Sequence, residues 1–217
     1  MSDAPPPAPP AARGIALVRM PVAPVHAEPR VSSAQTSQAL FGRMVALHGA
    51  EGDWHRAQTS PDGYEGWVHA GYLTVEVSMP DDHPGVHDYM IADTGLRVSL
   101  GCTVRAGGRT LRLPFGAWVA GDQVLLDGDA VPLAELPARF PGDDGAAAVA
   151  TAARYFGSTS YQWGGVTPWG ADCSGMVQSV YALHGVDLPR DAWQQALAGE
   201  DAGPDPRAHR PGDLLFF

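Results

Sequence analysis

The stretch that decides the fold runs over residues 161–185, as YQWGG at 161–165 and GADCSGMVQSVYALHG at 170–185. After the glycine-rich loop, apolar residues recur at helical spacing, at Met176, Val177, Val180, Tyr181 and Leu183. Gly185 can end such a helix, because glycine accepts the backbone conformation of a helix C-terminus. The sequence therefore predicts a helix that begins at or next to Cys173.

Cys173 is a candidate nucleophile because of this placement. The amide groups of a first helical turn point outward, and their partial positive charge favours a thiolate. The alternative is an inert, buried thiol, which is the usual fate of a free cysteine. Cys102 lies in a strand pattern and is expected to be such a thiol. Two cysteines so far apart exclude a disulfide framework and a CxxC metal site.

Composition excludes several classes of partner. The chain of 217 residues has 24 acidic and 14 basic residues, hence a net charge of −10, and every basic residue is arginine. That balance is unfavourable for nucleic acid or an anionic membrane surface. No apolar run approaches the length of a membrane span, about 20 residues. Residues 1–14 lack the features of a secretory signal, so we expect a cytoplasmic protein.

The composition and predicted secondary structure of the chain change twice along its length. Residues 1–14 are proline-rich and predict a disordered tail. Residues 15–77 contain short apolar pieces separated by turn residues, with a hairpin turn at Asp62-Gly63, and predict a small β-barrel or sandwich. Residues 78–140 repeat that texture, with a glycine turn after Ala106. Residues 141–217 begin with a helical stretch that Asp143 or Asp144 can cap and Gly157 can end.

Five motifs in order carry a family resemblance. They are YxWGG, GxDCSGxVQxxYxxxG, Leu188-Pro-Arg-Asp, Gln194 or Gln195, and PGDLLFF at 211–217. This set resembles the NlpC/P60 family of papain-like cysteine peptidases, which cut bacterial cell-wall peptides. Residues 22–73 resemble the bacterial SH3-like domain that precedes such peptidases, and residues 86–140 resemble a second one. The expected fold is α+β: two small SH3-like β-barrels followed by a papain-like NlpC/P60 domain truncated at its C-terminus.

The resemblance implies a substrate and a set of roles. The subgroup hydrolyses the γ-D-glutamyl bond to a diamino acid in free murein peptides with an exposed N-terminal L-Ala, a cell-wall recycling activity. Cys173 would be the nucleophile, and its backbone N–H with the Tyr161 hydroxyl would stabilise the oxyanion. Asp172 and Asp191 would hold the substrate's ammonium group. For Asp191 the alternative is a helix cap.

Further residues would shape the pocket. By the same resemblance, Ser174 and Trp163 would line it, and Tyr64 and Glu65 would wall it from the first β domain. The alternatives are a barrel aromatic for Tyr64 and a solvated charge for Glu65. Because the net charge is negative, attraction of an acidic peptide would depend on local groups such as Arg190.

The catalytic base is the missing part of the pattern. PGDLLFF is expected to form a strand; in the family the base is a histidine on the strand that follows it, and the sequence stops at Phe217. His184 would lie roughly 16 Å from Cys173 along a helix, since each residue rises about 1.5 Å, and His209 precedes that strand. We therefore expect this chain to be inactive or nearly so on its own.

Other functions stay open. One is a non-catalytic module that binds cell-wall peptides; another is a different thiol amidase or acyltransferase of the same fold. The expected partner is a small peptidoglycan-derived peptide, with no nucleic acid and no membrane, and the sequence does not determine the oligomeric state. No metal or organic cofactor is implied, since His83 and His87 lack a third spaced ligand.

Overall fold

A computed structural model describes residues 14–74, 77–78 and 95–217. The predicted tail therefore lies outside the described residues except for Gly14, and so do His83 and His87. The first unit is an antiparallel sheet in the order β3-β2-β6-β5-β4-β1-β7. Its strands are β1 Gly14–Leu17, β2 Val22–His26, β3 Gln35–Leu40, β4 Met44–Glu51, β5 Trp54–Thr59, β6 Glu65–His69 and β7 Val77–Ser78. A 3₁₀ turn, Ala70–Tyr72, follows β6.

The core of this unit consists of alanine, valine and leucine side chains, and buried residues alternate with less buried ones along β1 and β2. Val25, Val45 and Val68 are fully buried, as expected where one face of a strand packs inward. The predicted turn at Asp62-Gly63 is confirmed: it joins β5 to β6, and Gly63 has a φ of +66°, a conformation that glycine adopts without steric cost.

The second unit is a three-stranded antiparallel sheet in the order β10-β8-β9. Its strands are β8 Arg97–Ala106, β9 Arg109–Val119 and β10 Val124–Pro132. The predicted glycine turn after Ala106 is confirmed, since Gly107 and Gly108 both have positive φ and join β8 to β9. Whether 78–140 closes into an SH3-like barrel stays a prediction, because residues 79–94 lie outside the described part.

The last unit contains most of the helices. A 3₁₀ turn (Leu133–Glu135) and α1 (Leu136–Arg139) lead to α2 (Gly145–Phe156), and the short strands β11 (Val166–Thr167) and β12 (Gly170–Ala171) precede α3 (Cys173–Leu183). Helix α4 (Ala192–Ala198) and a 3₁₀ turn (Pro206–Ala208) follow. The predicted cap of α2 is confirmed, because the Asp144 side chain accepts from the Ala147 amide at 3.0 Å. In the described ranges every helix falls short of the length and apolarity that crossing a membrane requires.

The β8–β10 sheet holds the other two units together. Phe115 packs against Tyr155 and Phe156 of α2, with ring centroids 5.0 and 5.5 Å apart. Arg43 of the first unit stacks over Trp118 at 4.3 Å and donates to the Gly116 carbonyl. Burial lowers the Arg43 pKa to about 10. These contacts fix the positions of the three units relative to one another around the site.

The strand predicted over the apolar end of the sequence is not formed. Residues 213–217 have no regular structure, and Leu215 is 70% exposed. A strand requires a neighbour for its backbone groups, and no strand among the described residues runs beside this segment. The preceding turn is nevertheless docked, because the Tyr181 hydroxyl donates to the Gly212 carbonyl.

Candidate active site

The predicted start of α3 is confirmed, and it places Cys173 at the first helical position. Asp172 occupies the cap, and its side chain accepts from the Gly175 amide at 2.7 Å. The Cys173 side chain is exposed, whereas Cys102 is buried, and burial raises the pKa of the Cys102 thiol. Exposure at the positive end of a helix argues against an inert core role for Cys173 and leaves it accessible to a reactant.

The Asp172 carboxylate is fully engaged inside the protein. Arg190 binds both of its oxygens, at 3.1 and 2.6 Å, and the Gly164 amide donates to it at 2.8 Å. With the Gly175 amide, these donors occupy the lone pairs of the carboxylate. The expectation that Asp172 binds the substrate's ammonium group is therefore wrong for this geometry: its partner is the Arg190 guanidinium.

Two further expectations change for the same reason. Ser174 is buried, and its hydroxyl accepts from Arg190 at 3.0 Å, so this side chain faces the ion pair instead of lining a pocket. Arg190 is 2% exposed and its charge is balanced by Asp172 at close range. It is therefore not available to attract an acidic peptide.

The glycines of the two motifs permit close backbone packing. A side chain on Gly175 would overlap with the Gly165 carbonyl oxygen, so the first turn of α3 lies directly on the loop. Gly164 has a φ of +72°, and a Cβ there would lie 2.7 Å from the Gln35 carbonyl oxygen. The loop is thus pressed between α3 and the first β unit, and only glycine fits at both contacts.

Strand β3 of the first unit lies along that loop. The Gln35 side chain donates to the Trp163 carbonyl at 3.0 Å, and the Gln38 side chain accepts from the Val166 amide at 3.0 Å. Between them, the Ser37 hydroxyl accepts from Nε of Arg190 at 3.1 Å. These three β3 residues were not predicted as part of the site, because the polar face of a strand gives no indication of what it contacts.

The turn that carries Tyr64 is fastened to α3. Nε2 of Gln178 donates to Asp62 and to the Leu188 carbonyl, both at 3.0 Å. Tyr64 is half-buried; its pKa is raised, first by burial and further by the nearby charge of Asp191, against a lowering contribution from the Thr36 side chain. Tyr64 therefore lies where the first unit meets the Asp191 end of the last unit.

Asp191 occupies the cap position of α4 with its backbone alone. Its carbonyl oxygen accepts from the Gln194 and Gln195 amides, both at 3.0 Å, while the side chain makes no capping bond within the described residues. Gln195, the buried member of the predicted glutamine pair, donates to the Ser174 carbonyl at 3.0 Å. This bond sets the first turns of α3 and α4 side by side.

The other predicted site residues lie at the surface. Tyr161 and Trp163, on the loop before α3, are 66% and 67% exposed, and Trp193 on α4, which the sequence analysis did not single out, is also exposed. Glu65 is exposed and pairs with Arg56 at 2.7 Å, the behaviour of a surface charge. Their roles toward a substrate stay predictions.

His184 and His209 are both hydrogen-bonded to groups away from Cys173. In His184, Nδ1 lies 2.9 Å from the Pro141 carbonyl oxygen and Nε2 lies 3.0 Å from the Thr151 hydroxyl. Since a carbonyl only accepts, Nδ1 carries the proton and the hydroxyl donates to Nε2. Nε2 of His209 donates to the Gly203 carbonyl at 3.0 Å. Within residues 14–74, 77–78 and 95–217, no histidine ring is hydrogen-bonded to Cys173.

Comparison with known proteins agrees with this architecture. Residues 158–217 match the NlpC/P60 family, and residues 21–74 match the bacterial SH3 domain. A gamma-D-glutamyl-L-lysine dipeptidyl-peptidase from Bacillus subtilis is 28% identical over 204 residues, covering 83% of this chain and 63% of the relative. A protein of the same name from Bacillus cereus is 27% identical and is covered over 59% of its length. The chain thus spans about 60% of these relatives.

The solved structures agree at the level of the fold. An NlpC/P60 family protein from Bacillus cereus superposes with a TM-score of 0.66 at 16% identity, covering 91% of this chain and 81% of that one. An NlpC/P60 endopeptidase from Photobacterium damselae gives a TM-score of 0.57, covering 84% of this chain and 45% of that one. This chain carries a bacterial SH3 domain followed by an NlpC/P60 domain, the domain of a family of cysteine peptidases.

Proposed function

We propose that the site is that of a cysteine peptidase that hydrolyses the γ-D-glutamyl bond to a diamino acid in free murein peptides with an exposed N-terminal L-Ala. The observation that carries the proposal is the exposed Cys173 thiol at the start of α3, beside the first turn of α4 that bears Asp191. The printed names of the two Bacillus relatives, which specify a gamma-D-glutamyl bond, support the choice of substrate.

The chemistry would proceed in two steps. The Cys173 thiolate attacks the γ-carbonyl carbon, and the Cys173 amide with the Tyr161 hydroxyl stabilises the resulting oxyanion. A base removes the thiol proton before the attack; the C–N bond then breaks, and the leaving nitrogen takes that proton from the base, so that the diamino acid departs as its amine. Water then hydrolyses the thioester, which releases L-Ala-D-Glu with a free γ-carboxylate and restores the thiol.

Asp191 would bind the ammonium group of the N-terminal L-Ala. Its backbone forms the α4 cap while its side chain makes no capping bond within the described residues, so the carboxylate can pair with a cation. Such a pair is strongest in a partly desolvated site, and the half-buried Tyr64 on the facing unit provides an apolar wall. A substrate with a blocked amine would lose this interaction.

The base is the component that the described residues do not supply, since none of their histidines bonds Cys173. We therefore expect the 217-residue chain to bind the peptide and to turn it over slowly or not at all. The same observation favours a second candidate, a non-catalytic module that binds cell-wall peptides. Either function suits a recycling role inside the cell.

The test is calorimetric titration of L-Ala-γ-D-Glu-L-Lys and its diaminopimelate counterpart into this chain, with chromatography to detect released diamino acid. N-acetylated peptides and Cys173→Ala serve as controls. Binding with release that depends on Cys173 supports the peptidase. Binding without release is the result expected of this chain, and it supports recognition of the peptide, which both candidate functions share. If neither peptide binds, the proposed function is wrong.

A further inference from the structure

We propose that Arg190 and Ser37 are positioning residues for Cys173. Through them, the first β unit helps to fix the position and the electrostatic environment of the nucleophile. The inference rests on the proposed function only in taking Cys173 as the nucleophile. Arg190 is 2% exposed, and its guanidinium joins Asp172 of the last unit to Ser37 on β3 of the first.

Arg190 neutralises a negative charge next to the thiol. Asp172 directly precedes Cys173, and a buried carboxylate there opposes the formation of a thiolate by like-charge repulsion. Arg190 pairs with that carboxylate at 2.6 Å, with both side chains nearly inaccessible to water. Because the pair has no net charge, it does not oppose the partial positive charge of the helix N-terminus, which stabilises the thiolate.

Arg190 also fixes the position of the backbone around Cys173. The carboxylate that Arg190 holds also accepts from the Gly164 amide at 2.8 Å and the Gly175 amide at 2.7 Å. One of these amides belongs to the glycine-rich loop and the other to the first turn of α3. By fixing the carboxylate, Arg190 fixes the loop and the helix start relative to each other, and Cys173 lies on that start.

Ser37 links Arg190 to the first β unit. Ser37 is 2% exposed, and its hydroxyl accepts from Nε of Arg190 at 3.1 Å. On either side of it, Gln35 and Gln38 bind the backbone of the loop at Trp163 and Val166. Strand β3 is therefore a template against which the loop and Arg190 are placed.

The other ionisable groups around this helix start are few in the described part of the chain. Asp191 lies on the neighbouring loop, Tyr161 on the segment before α3, and Tyr64 on the facing unit, where Asp191, Arg190 and Asp172 all act on its pKa. Asp191 adds a negative charge that the Arg190–Asp172 pair does not offset, and it is unchanged in the variants below.

The test is the pH profile of Cys173 alkylation by iodoacetamide in the full chain, with modification followed by mass spectrometry of the peptide that contains Cys173. Arg190→Met leaves Asp172 unbalanced and should move the midpoint up by about one pH unit, while Asp172→Asn leaves Arg190 unbalanced and should move it down by a similar amount. A purely structural role would move both variants in the same direction.

Milder variants keep the test valid if either of these fails to fold. Arg190→Lys retains the charge and should restore the wild-type midpoint. Ser37→Ala should leave the midpoint in place and lower the alkylation rate a few-fold. As a matched control, Arg139→Met removes an arginine whose pair with Asp129 is about half exposed, and it should change neither quantity.

The outcomes separate this inference from the proposed function. Opposite shifts in Arg190→Met and Asp172→Asn, or a restored midpoint in Arg190→Lys with a slowed Ser37→Ala, support it. The inference is overturned if the midpoints of Arg190→Met and Asp172→Asn shift in the same direction. It is also overturned if Arg190→Lys and Ser37→Ala both match Arg139→Met in midpoint and alkylation rate. Neither result changes peptide binding by the wild type. A wild-type Cys173 that iodoacetamide does not modify at any pH would overturn both.

Discussion

Gly175→Ala is predicted to destabilise the protein, although the same change in an exposed helix would stabilise it by about 0.5–1 kcal/mol. The added Cβ would overlap with the Gly165 carbonyl oxygen and lie 2.9 Å from Oδ1 of Asp172. Neither atom can move freely: the carbonyl accepts from the Asp172 amide at 3.1 Å, and the carboxylate is held by Arg190. Forcing a methyl group into a packed site costs about 1–3 kcal/mol.

Taking the upper end of that cost, because both obstacles are fixed, and subtracting the helix gain leaves a net loss of about 2 kcal/mol. For a chain of this size that loss corresponds to a melting temperature lower by about 4–8 °C. Thermal unfolding followed by circular dichroism measures it. Gly199→Ala is the control, since nothing lies within 4 Å of its Cβ position. A Gly175→Ala protein at least as stable as the wild type would refute the packing argument.

Three further predictions concern binding and stability. Asp191→Ala should weaken binding of the free-amine tripeptide at least tenfold, as expected for loss of a charge-assisted bond worth about 1.5–3 kcal/mol, and leave binding of the N-acetylated peptide unchanged in calorimetry. Equal losses for the two peptides would contradict the proposed role of Asp191. Gln178→Ala removes the hydrogen bond between α3 and the Asp62 turn. It should weaken peptide binding without changing the rate of Cys173 alkylation, and a slower alkylation would contradict this prediction. Burial raises the pKa of Cys102 above its ordinary 9.0, so the folded state keeps a proton that the unfolded chain releases. The contribution of this protonated thiol to stability is complete below about pH 9 and is lost as the pH rises further. Between pH 7.5 and 10 the melting temperature should therefore fall less in Cys102→Ala than in the wild type, and the same pH dependence in both proteins would contradict this.

What the sequence predicted correctly depends on neighbours along the chain. The start of α3 at Cys173, the Asp144 cap and the turn at Gly63 follow from local preferences of residue type and spacing, and the structure confirms them. Each can be recognised in a window of a few residues.

The site's internal bonds could not be predicted in this way. Arg190 and Ser37 are 153 positions apart, and Gln178 and Asp62 are 116 apart; both bonds exist only because the two units dock. Asp172 was misassigned because a motif specifies a residue type without its partners. Its position directly before a helix start was the available signal, since a capping carboxylate is already engaged by backbone amides.

The central claim is that Cys173 takes the acyl group of a γ-D-glutamyl substrate, and an activated donor tests it without a catalytic base. The measurement is intact mass after incubation with the γ-thiobenzyl ester of L-Ala-D-Glu: the Cys173 thiolate displaces benzyl thiolate and forms a new thioester. We predict one acyl adduct that maps to Cys173, is absent in Cys173→Ala and is strongly reduced for the N-acetylated ester. An adduct on Cys102, or an unmodified Cys173 that iodoacetamide still alkylates, would contradict the account.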